Sequence, residues 1–293
     1  TVLFRLIRSL SAARKILKEF RPDAAVGVGG YASGPILRQA GKMGIPTLIQ
    51  EQNSYAGITN RLLAKRASVI CVAYEGMEKY FPAEKIKITG NPVRHTYDNT
   101  DNLKDEALAY FGLKSGRPVI LVLGGSLGAG TINNSLSMNL DKVTGSDIQW
   151  IWQTGKHYYE SVSKAISGLS TDNISVHGFI DRMDYAFAAA DIIVSRAGAG
   201  TISELCLAGK PVILVPSPNV AEDHQTRNAR ALSDREAAIL VEDRKALEIL
   251  ADVAIGLVTD NSRRTMLSEN IKKMALRDAD IKIAEEVLKL TEK

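Results

Sequence analysis

The 293-residue sequence predicts an α/β protein whose strands form parallel sheets in two successive halves. The stretch 192–215 is the first observation. An apolar run, Ile192, Ile193 and Val194, enters a turn with Gly198 and Gly200. A helical pattern follows from Thr201 to about Leu207, Gly209 and Pro211 stop it, and a second apolar run starts at Val212. Parallel strands need such a crossover between them. The second observation is a repeat: the turn with Gly124, Gly125 and Gly128 after the apolar run 118–123 looks like the turn at Gly29 and Gly30 after 24–28. The third is a polar, acidic stretch at 98–106, read as a linker. It puts the boundary near 91–98, between a first domain, 1–93, and a second, 94–277.

Each element follows in order. Residues 1–20 read as a helix, with Leu3, Ile7, Leu10 and Leu17 roughly on one face and Leu6, Ala13 and Ile16 beside them. Arg5, Arg8, Arg14, Lys15 and Lys18 make the remainder basic. Such a helix either packs its stripe on a sheet or lies on an anionic membrane surface. A strand at 24–28 precedes a helix from about Pro35 to Met43, since proline suits the first helical position. The strand 47–50 ends at Glu51, Gln52 and Asn53, and a helix begins near Ile58. Strands at 69–72 and 86–89 lead to a turn marked by Gly90 and Pro92. The second half reads as strand 118–123, helix 132–140, strands 149–153 and 174–176, helix 183–190, and then the opening stretch. The polar string 222–228 reads as a loop after the strand 212–215. Helices follow at 229–233, 244–259, 261–274 and 281–293, the last segment (about 278–293) being placed to dock back on the first domain.

Composition narrows the function. Hydrophobic content of 45% and charged content of 24% are those of an ordinary folded chain. The net charge of +4 is mild and no Arg-rich tract is interleaved with aromatics, so nucleic acid is not the expected partner. Cys71 and Cys206 sit in apolar runs and read as buried free thiols of a reducing compartment. No apolar run is long enough to span a bilayer. The opening, TVLFRLIRSL, lacks a Met and a cleavage site and reads as the start of a fragment.

The chemistry collects where strands end. Ligands of parallel sheets sit at the carboxyl ends of the strands. Consecutive N–H groups of a glycine turn form an anion nest, and a helix amino terminus adds about half a positive charge. Ser126 adds a hydroxyl to its turn. The spacing is neither that of a dinucleotide fingerprint nor that of a P-loop. Glu204 lies within reach of ribose-like vicinal hydroxyls. The alternative is a capping box, Thr201 to Glu204, in which the carboxylate only satisfies backbone donors. Glu51, Gln52 and Asn53 either bind sugar hydroxyls or tie loops together. His157 and His177 lack metal-ligand spacing and read as structural or surface residues. No Asp-x-Asp lies at a strand end, so no metal and no cofactor are expected.

Six motifs then occur in one order: GGYASGP (29–35), EQNSYAGITN (51–60), GNPVR (90–94), GGSLGA (124–129), SRAGAGTISEL (195–205) and HQTRNA (224–229). Together they resemble the MurG family of peptidoglycan glycosyltransferases across nearly the whole chain. The resemblance implies the GT-B fold, two Rossmann-like domains facing a cleft. It implies inverting transfer of N-acetylglucosamine from UDP-N-acetylglucosamine to the muramyl C4 hydroxyl of undecaprenyl-linked lipid I, giving lipid II. It also implies a peripheral place on the cytoplasmic face of the bacterial plasma membrane, against its anionic surface, with cell-wall synthesis and division proteins as further partners.

Roles carry over by position. Ala199, Gly200, Thr201, Ile202, Ser203 and Glu204 should line the nucleotide, with Glu204 on the ribose. Ile180 should meet uracil through its backbone, and Ser126 and Arg94 should face the diphosphate. Gln225 with His224 should hold the donor sugar. Asn53 and Glu51 should face the sugar or acceptor, with Glu51 and Asn60 as the catalytic candidates. Two departures stand out. Gln50 replaces the family's usual His before Glu-Gln-Asn. The family's initial Gly-Gly-Thr-Gly-Gly-His loop, which holds the acceptor diphosphate and supplies the expected base, does not occur in this sequence. The first domain therefore reads as truncated at its start, with donor binding expected and turnover of lipid I expected to be poor. The alternatives are a non-catalytic UDP-sugar-binding fragment, a related glycolipid glycosyltransferase and a UDP-sugar epimerase.

Overall fold

The chain divides into two units, residues 1–93 with 276–293 and residues 94–275. The computed structural model describes residues 2–94, 100–125, 127–169 and 171–292. The first unit runs α1 (Val2–Phe20), β1 (Ala25–Gly27), α2 (Gly30–Lys42), β2 (Thr47–Glu51), α3 (Ile58–Leu63), β3 (Val69–Val72) and β4 (Ile86–Ile88). Its strands are all parallel, in the order β1-β2-β3-β4. Every residue of β2 is buried, as expected for an inner strand of a parallel sheet covered on both faces. Leu37, Ile49, Leu63, Ile70, Met77 and Phe81 form the core.

The second unit runs α4 (Lys104–Tyr110), β5 (Val119–Leu123), α5 (Gly130–Met138), α6 (Leu140–Thr144), β6 (Gln149–Gln153), α7 (Tyr159–Ile166), β7 (Ile174–His177) and α8 (Met183–Ala189). It continues through β8 (Ile192–Ser195), α9 (Ala199–Ala208), β9 (Val212–Leu214), α10 (His224–Ser233), β10 (Ile239–Leu240), α11 (Asp243–Thr259) and α12 (Asn261–Lys273). All its strands are parallel, in the order β10-β9-β8-β5-β6-β7. The chain steps one way from β5 to β7, then returns to the other side of β5 for β8 to β10. The switch point lies between β5 and β8, where this fold opens a crevice at the strand ends. Trp150, Trp152, Ile120, Val122 and Val194 fill one face. The last helix, α13 (Ala279–Thr291), packs on β2 of the first unit. The segment leading to it passes so close to Gly90 (φ +90°) that a Cβ there would lie 2.8 Å from that of Leu276.

Both cysteines are buried and free, and burial pushes the Cys71 thiol up to about 11 and that of Cys206 to about 12. Four sequence expectations need correction. The stretch 98–106 is not a linker throughout: from Lys104 it forms α4, packed on α8, with Asp105 and Glu106 in the first turn, where the helix dipole favours carboxylates. Lys104 Nζ lies 2.8 Å from Asp191 Oδ1. The helix expected from Pro35 starts at Gly30, with Pro35 inside it. Pro35 lacks the N–H that would bond the carbonyl four residues back, on the exposed residue Tyr31. The polar string expected as a loop becomes helical from His224. On α1, Ala13 and Leu17 are buried, but Phe4, Leu6, Ile7 and Ile16 are exposed, because a stripe is buried only where a neighbour, here α2, covers it. The side chain of Leu3 and residues 95–99 lie outside the described residues.

Candidate active site

The turn after β8 is built by long-range contacts. Ser195 is buried at the strand end. Arg196 donates to the Val215 carbonyl at 3.0 Å and to Asp243, whose other oxygen accepts from Thr131 Oγ1 at 3.0 Å. The Gln225 Oε1 accepts from two backbone N–H groups, Ala197 at 3.3 Å and Ser217 at 2.8 Å, joining the turns after β8 and β9. Asn228 donates to the Ala197 carbonyl at 3.4 Å. Arg196, Asn228 and Asp243 were not among the sequence-derived site residues; they act through side-chain reach across the sheet, which no local pattern signals.

Gly198 is the N-cap of α9 and no side chain caps it. A capping box needs its Ser or Thr at the N-cap; Thr201 stands inside the helix, so Glu204 is not the partner of such a box. Glu204 is half-buried, one turn beyond Thr201. Ser203 Oγ donates back to the Ala199 carbonyl at 3.2 Å, and Ile202 is buried. The first turn of any helix has N–H groups with no intrahelical acceptor, and here Ala199, Gly200 and Thr201 supply them. His224 opens α10 with its Nε2 3.6 Å from a Glu222 carboxylate oxygen. Glu222 and Asp223 just before it have φ of 54° and 52°, unfavourable for non-glycine residues and often retained at binding sites.

The turn after β5 is closely packed. The Gly124 N–H donates to the Gln153 carbonyl at 2.9 Å, and that of Gly128 to the Gly125 carbonyl at 3.2 Å. Buried Asn133 bridges beneath it, accepting from Trp152 Nε1 and donating to the Thr154 carbonyl, both at 2.9 Å. Ser126 lies outside the described residues. Ile180, after β7, is buried. Next to it the Arg182 guanidinium lies 3.6 Å from the Tyr185 ring centre and pairs with Asp184. His177 packs edge-on to Phe111, and burial lowers its pKa, which suits a neutral structural residue.

In the first unit Glu51, Asn53 and Asn60 come together. Glu51 is 3% exposed. Its Oε1 accepts from the Asn53 backbone N–H (3.1 Å) and side-chain amide (3.4 Å); its Oε2 accepts from Gly57 N–H (3.0 Å) and Asn60 Nδ2 (2.8 Å). Both oxygens are thus engaged in tying down the loop 53–60. Gln50, in the place of the family's His, is buried and donates to Asn91 Oδ1 at 2.8 Å, while Asn91 donates to the Gln52 carbonyl at 3.0 Å. That amide pair fastens the GNPVR turn to the end of β2. Arg94 is exposed.

Comparison with known proteins decides the lineage. Residues 119–283 match the glycosyltransferase family 28 C-terminal domain and residues 1–72 the glycosyltransferase family 28 N-terminal domain. The chain belongs to glycosyltransferase family 28. Within this family it is 57% identical over 294 residues to the UDP-N-acetylglucosamine--N-acetylmuramyl-(pentapeptide) pyrophosphoryl-undecaprenol N-acetylglucosamine transferase of Bacteroides thetaiotaomicron. That alignment covers 100% of this chain and 79% of the relative. It is 56% identical to the transferase of the same name from Parabacteroides distasonis, with the same coverage. The crystal structure of Acinetobacter baumannii MurG superposes with a TM-score of 0.81 at 29% identity, over 99% of this chain and 80% of that one. A UDP-GlcNAc 2-epimerase from Neisseria meningitidis, at 19% identity and a TM-score of 0.66 over 99% of this chain and 82% of its own, shares the fold. The family 28 chain is therefore a two-domain glycosyltransferase of the MurG lineage. Among its described residues no group of three or more His, Cys, Asp or Glu is arranged to hold a metal ion, and no helix is long and apolar enough to cross a membrane.

Proposed function

We propose that this chain transfers N-acetylglucosamine from UDP-N-acetylglucosamine to the muramyl C4 hydroxyl of undecaprenyl-diphosphoryl-muramyl pentapeptide, forming lipid II with inversion. The observation that carries the reading is 56–57% identity along the whole chain with transferases of that name. The likeness to epimerases is one of fold alone, so that alternative is not favoured. The geometry of the second unit supports a donor site. The α9 amino end offers N–H groups to an anion beside the glycine turn after β5, and its dipole offsets the charge that grows on departing UDP. Arg94 and Ser126 add to that set. Glu204 accepts from the ribose hydroxyls, and the Ile180 backbone meets uracil. The Gln225 carbonyl is held by two N–H groups, so its amide NH2 is the end that donates to the sugar, beside His224. In the first unit, Asn53 faces the sugar or acceptor on a loop that Glu51 holds in shape through buried Asn60.

Three finer points belong to the same reading. Donor binding needs no divalent cation, because backbone dipoles and Arg94 carry the diphosphate charge. The chain sits peripherally on the cytoplasmic face of the membrane through α1, whose exposed Phe4, Leu6 and Ile7 alternate with Arg5 and Arg8. Cell-wall synthesis and division proteins that use lipid II are its protein partners. The test supplies UDP-N-acetylglucosamine with a lipid I analogue and identifies products by mass, with and without chelator. A disaccharide-lipid product in both arms is expected. An epimerised sugar nucleotide formed without acceptor would overturn the assignment, and a product lost in chelator would overturn metal independence. Stronger sedimentation with anionic than with neutral vesicles is expected; equal sedimentation overturns the role of α1.

A further inference from the structure

Two consecutive tyrosines stand between two turns of the donor half. β5, β6 and β7 are parallel neighbours, so their carboxyl ends lie side by side. The turn after β6 enters α7 through Tyr158, its N-cap, and Tyr159, its first residue. The half-buried Tyr158 ring covers the turn after β5. A Cβ on Gly128 (φ +91°) would lie 2.4 Å from Tyr158 Cδ2, and one on Gly130 would lie 2.8 Å from its hydroxyl oxygen. The Tyr159 side chain leans the other way, on the turn after β7: a Cβ on Gly178 would lie 3.3 Å from both Tyr159 Cβ and Cγ. The backbone beneath is equally close. Gly155 (φ +79°) has room for no side chain, since a Cβ there would lie 2.3 Å from Gly128 N, and Thr154 N–H donates to the His177 carbonyl at 2.9 Å. Adjacent helical residues project about 100° apart, so one helix start reaches both turns, with one ring against each.

We propose that Tyr158 and Tyr159 are positioning residues that fix the spacing of the diphosphate and uracil subsites, Tyr158 setting the first and Tyr159 the second. The proposal rests on the reading that the turn after β5 takes the diphosphate and the Ile180 turn the base. Calorimetric titration of the whole chain with UDP and with uridine tests it, alongside KM and kcat for UDP-N-acetylglucosamine. Tyr158→Ala, and Tyr158→Leu, which keeps apolar contact with the core, should weaken UDP by roughly ten- to a hundredfold, the scale of a misplacement of about 1 Å. They should raise KM and leave uridine affinity at the wild-type value, while Tyr158→Phe restores UDP binding. Tyr159→Ala should weaken UDP and uridine by the same factor. Ser126→Ala separates the two levels of the argument. Wild-type UDP affinity in Ser126→Ala overturns the diphosphate reading and the proposal with it. Weakened UDP in Ser126→Ala with wild-type affinity in Tyr158→Leu overturns the positioning role alone. Equal losses of UDP and uridine in Tyr158→Leu also overturn it, because the ring would then merely hold the domain together.

Discussion

The glycine turns at 29–30 and at 124–130 carry the same sequence signal, an apolar strand running into Gly-Gly, yet they use glycine for different reasons. At Gly29 and Gly30 the backbone has φ of +90° and +75°, and an added Cβ would meet nothing within 4 Å. Glycine is needed there for conformation alone. In the second turn, a Cβ on Gly124 would lie 2.8 Å from the Gln153 carbonyl oxygen, and one on Gly128 would meet Tyr158 and, at 2.6 Å, the Thr154 carbonyl oxygen. At Gly124 and Gly128 glycine is needed for space, because the ends of β5 and β6 touch through their backbones, while Gly125 (φ +73°), with nothing within 4 Å, repeats the conformational case. The acidic residues near the strand ends differ in the same way. Glu51 is buried and shared among four N–H bonds. Glu204 is half-buried, on a helix whose cap it does not serve. Glu51 is spent on holding a loop; Glu204 stands one turn into the helix that follows the turn after β8.

Four substitutions break or sharpen this contrast. Gly155→Ala should have the largest effect, more than about 3 kcal/mol of stability, since left-handed strain and a backbone clash add. A chemical denaturation curve reads it; a loss as small as that of Gly29→Ala would mean that the packed turn yields freely. Glu51→Ala should follow, costing roughly 3 kcal/mol as the N–H groups of Asn53, Gly57 and Asn60 lose a charged acceptor. Thermal melting beside turnover separates the roles: a fall in kcat with an unchanged Tm would make Glu51 a catalytic base rather than a tie. Glu204→Ala should weaken UDP by roughly 1–3 kcal/mol, the scale of a hydrogen bond to a charged group. Calorimetry checks this, and a drop in Tm without loss of affinity would return Glu204 to a structural role. Gly29→Ala should be the mildest, about 1–3 kcal/mol from the backbone alone, since φ of 90° and ψ of −173° lie where essentially only glycine goes, with UDP affinity unaltered.

Much of this was legible in the residues. Strand–turn–helix punctuation, set by short apolar runs and by glycine and proline, predicted the α/β class, and the six motifs predicted the lineage. These are local signals: φ preferences and apolar periodicity act within a few residues of where they are written. Local pattern also misled where two readings share one composition. Asp105 and Glu106 look like linker residues and equally suit a first helical turn, and Pro35 looks like a helix start but lies inside α2. Thr201 and Glu204 spell a capping box, but the helix had already begun at Ala199.

The sequence by itself determined the kind of sheet, the strand ends at which chemistry collects, and the family. Only the tertiary structure decided what each polar group does there. Gln225 reaches an amide 28 residues away, Gln50 pairs with Asn91 across 41 residues, and Arg196 meets Asp243 across 47. Such partners are set by which strands lie side by side, and a parallel sheet always places a crossover between the residues it brings together. The spacing that decides whether Gly128 is open like Gly29 or covered by Tyr158 exists only once β5 and β6 have paired.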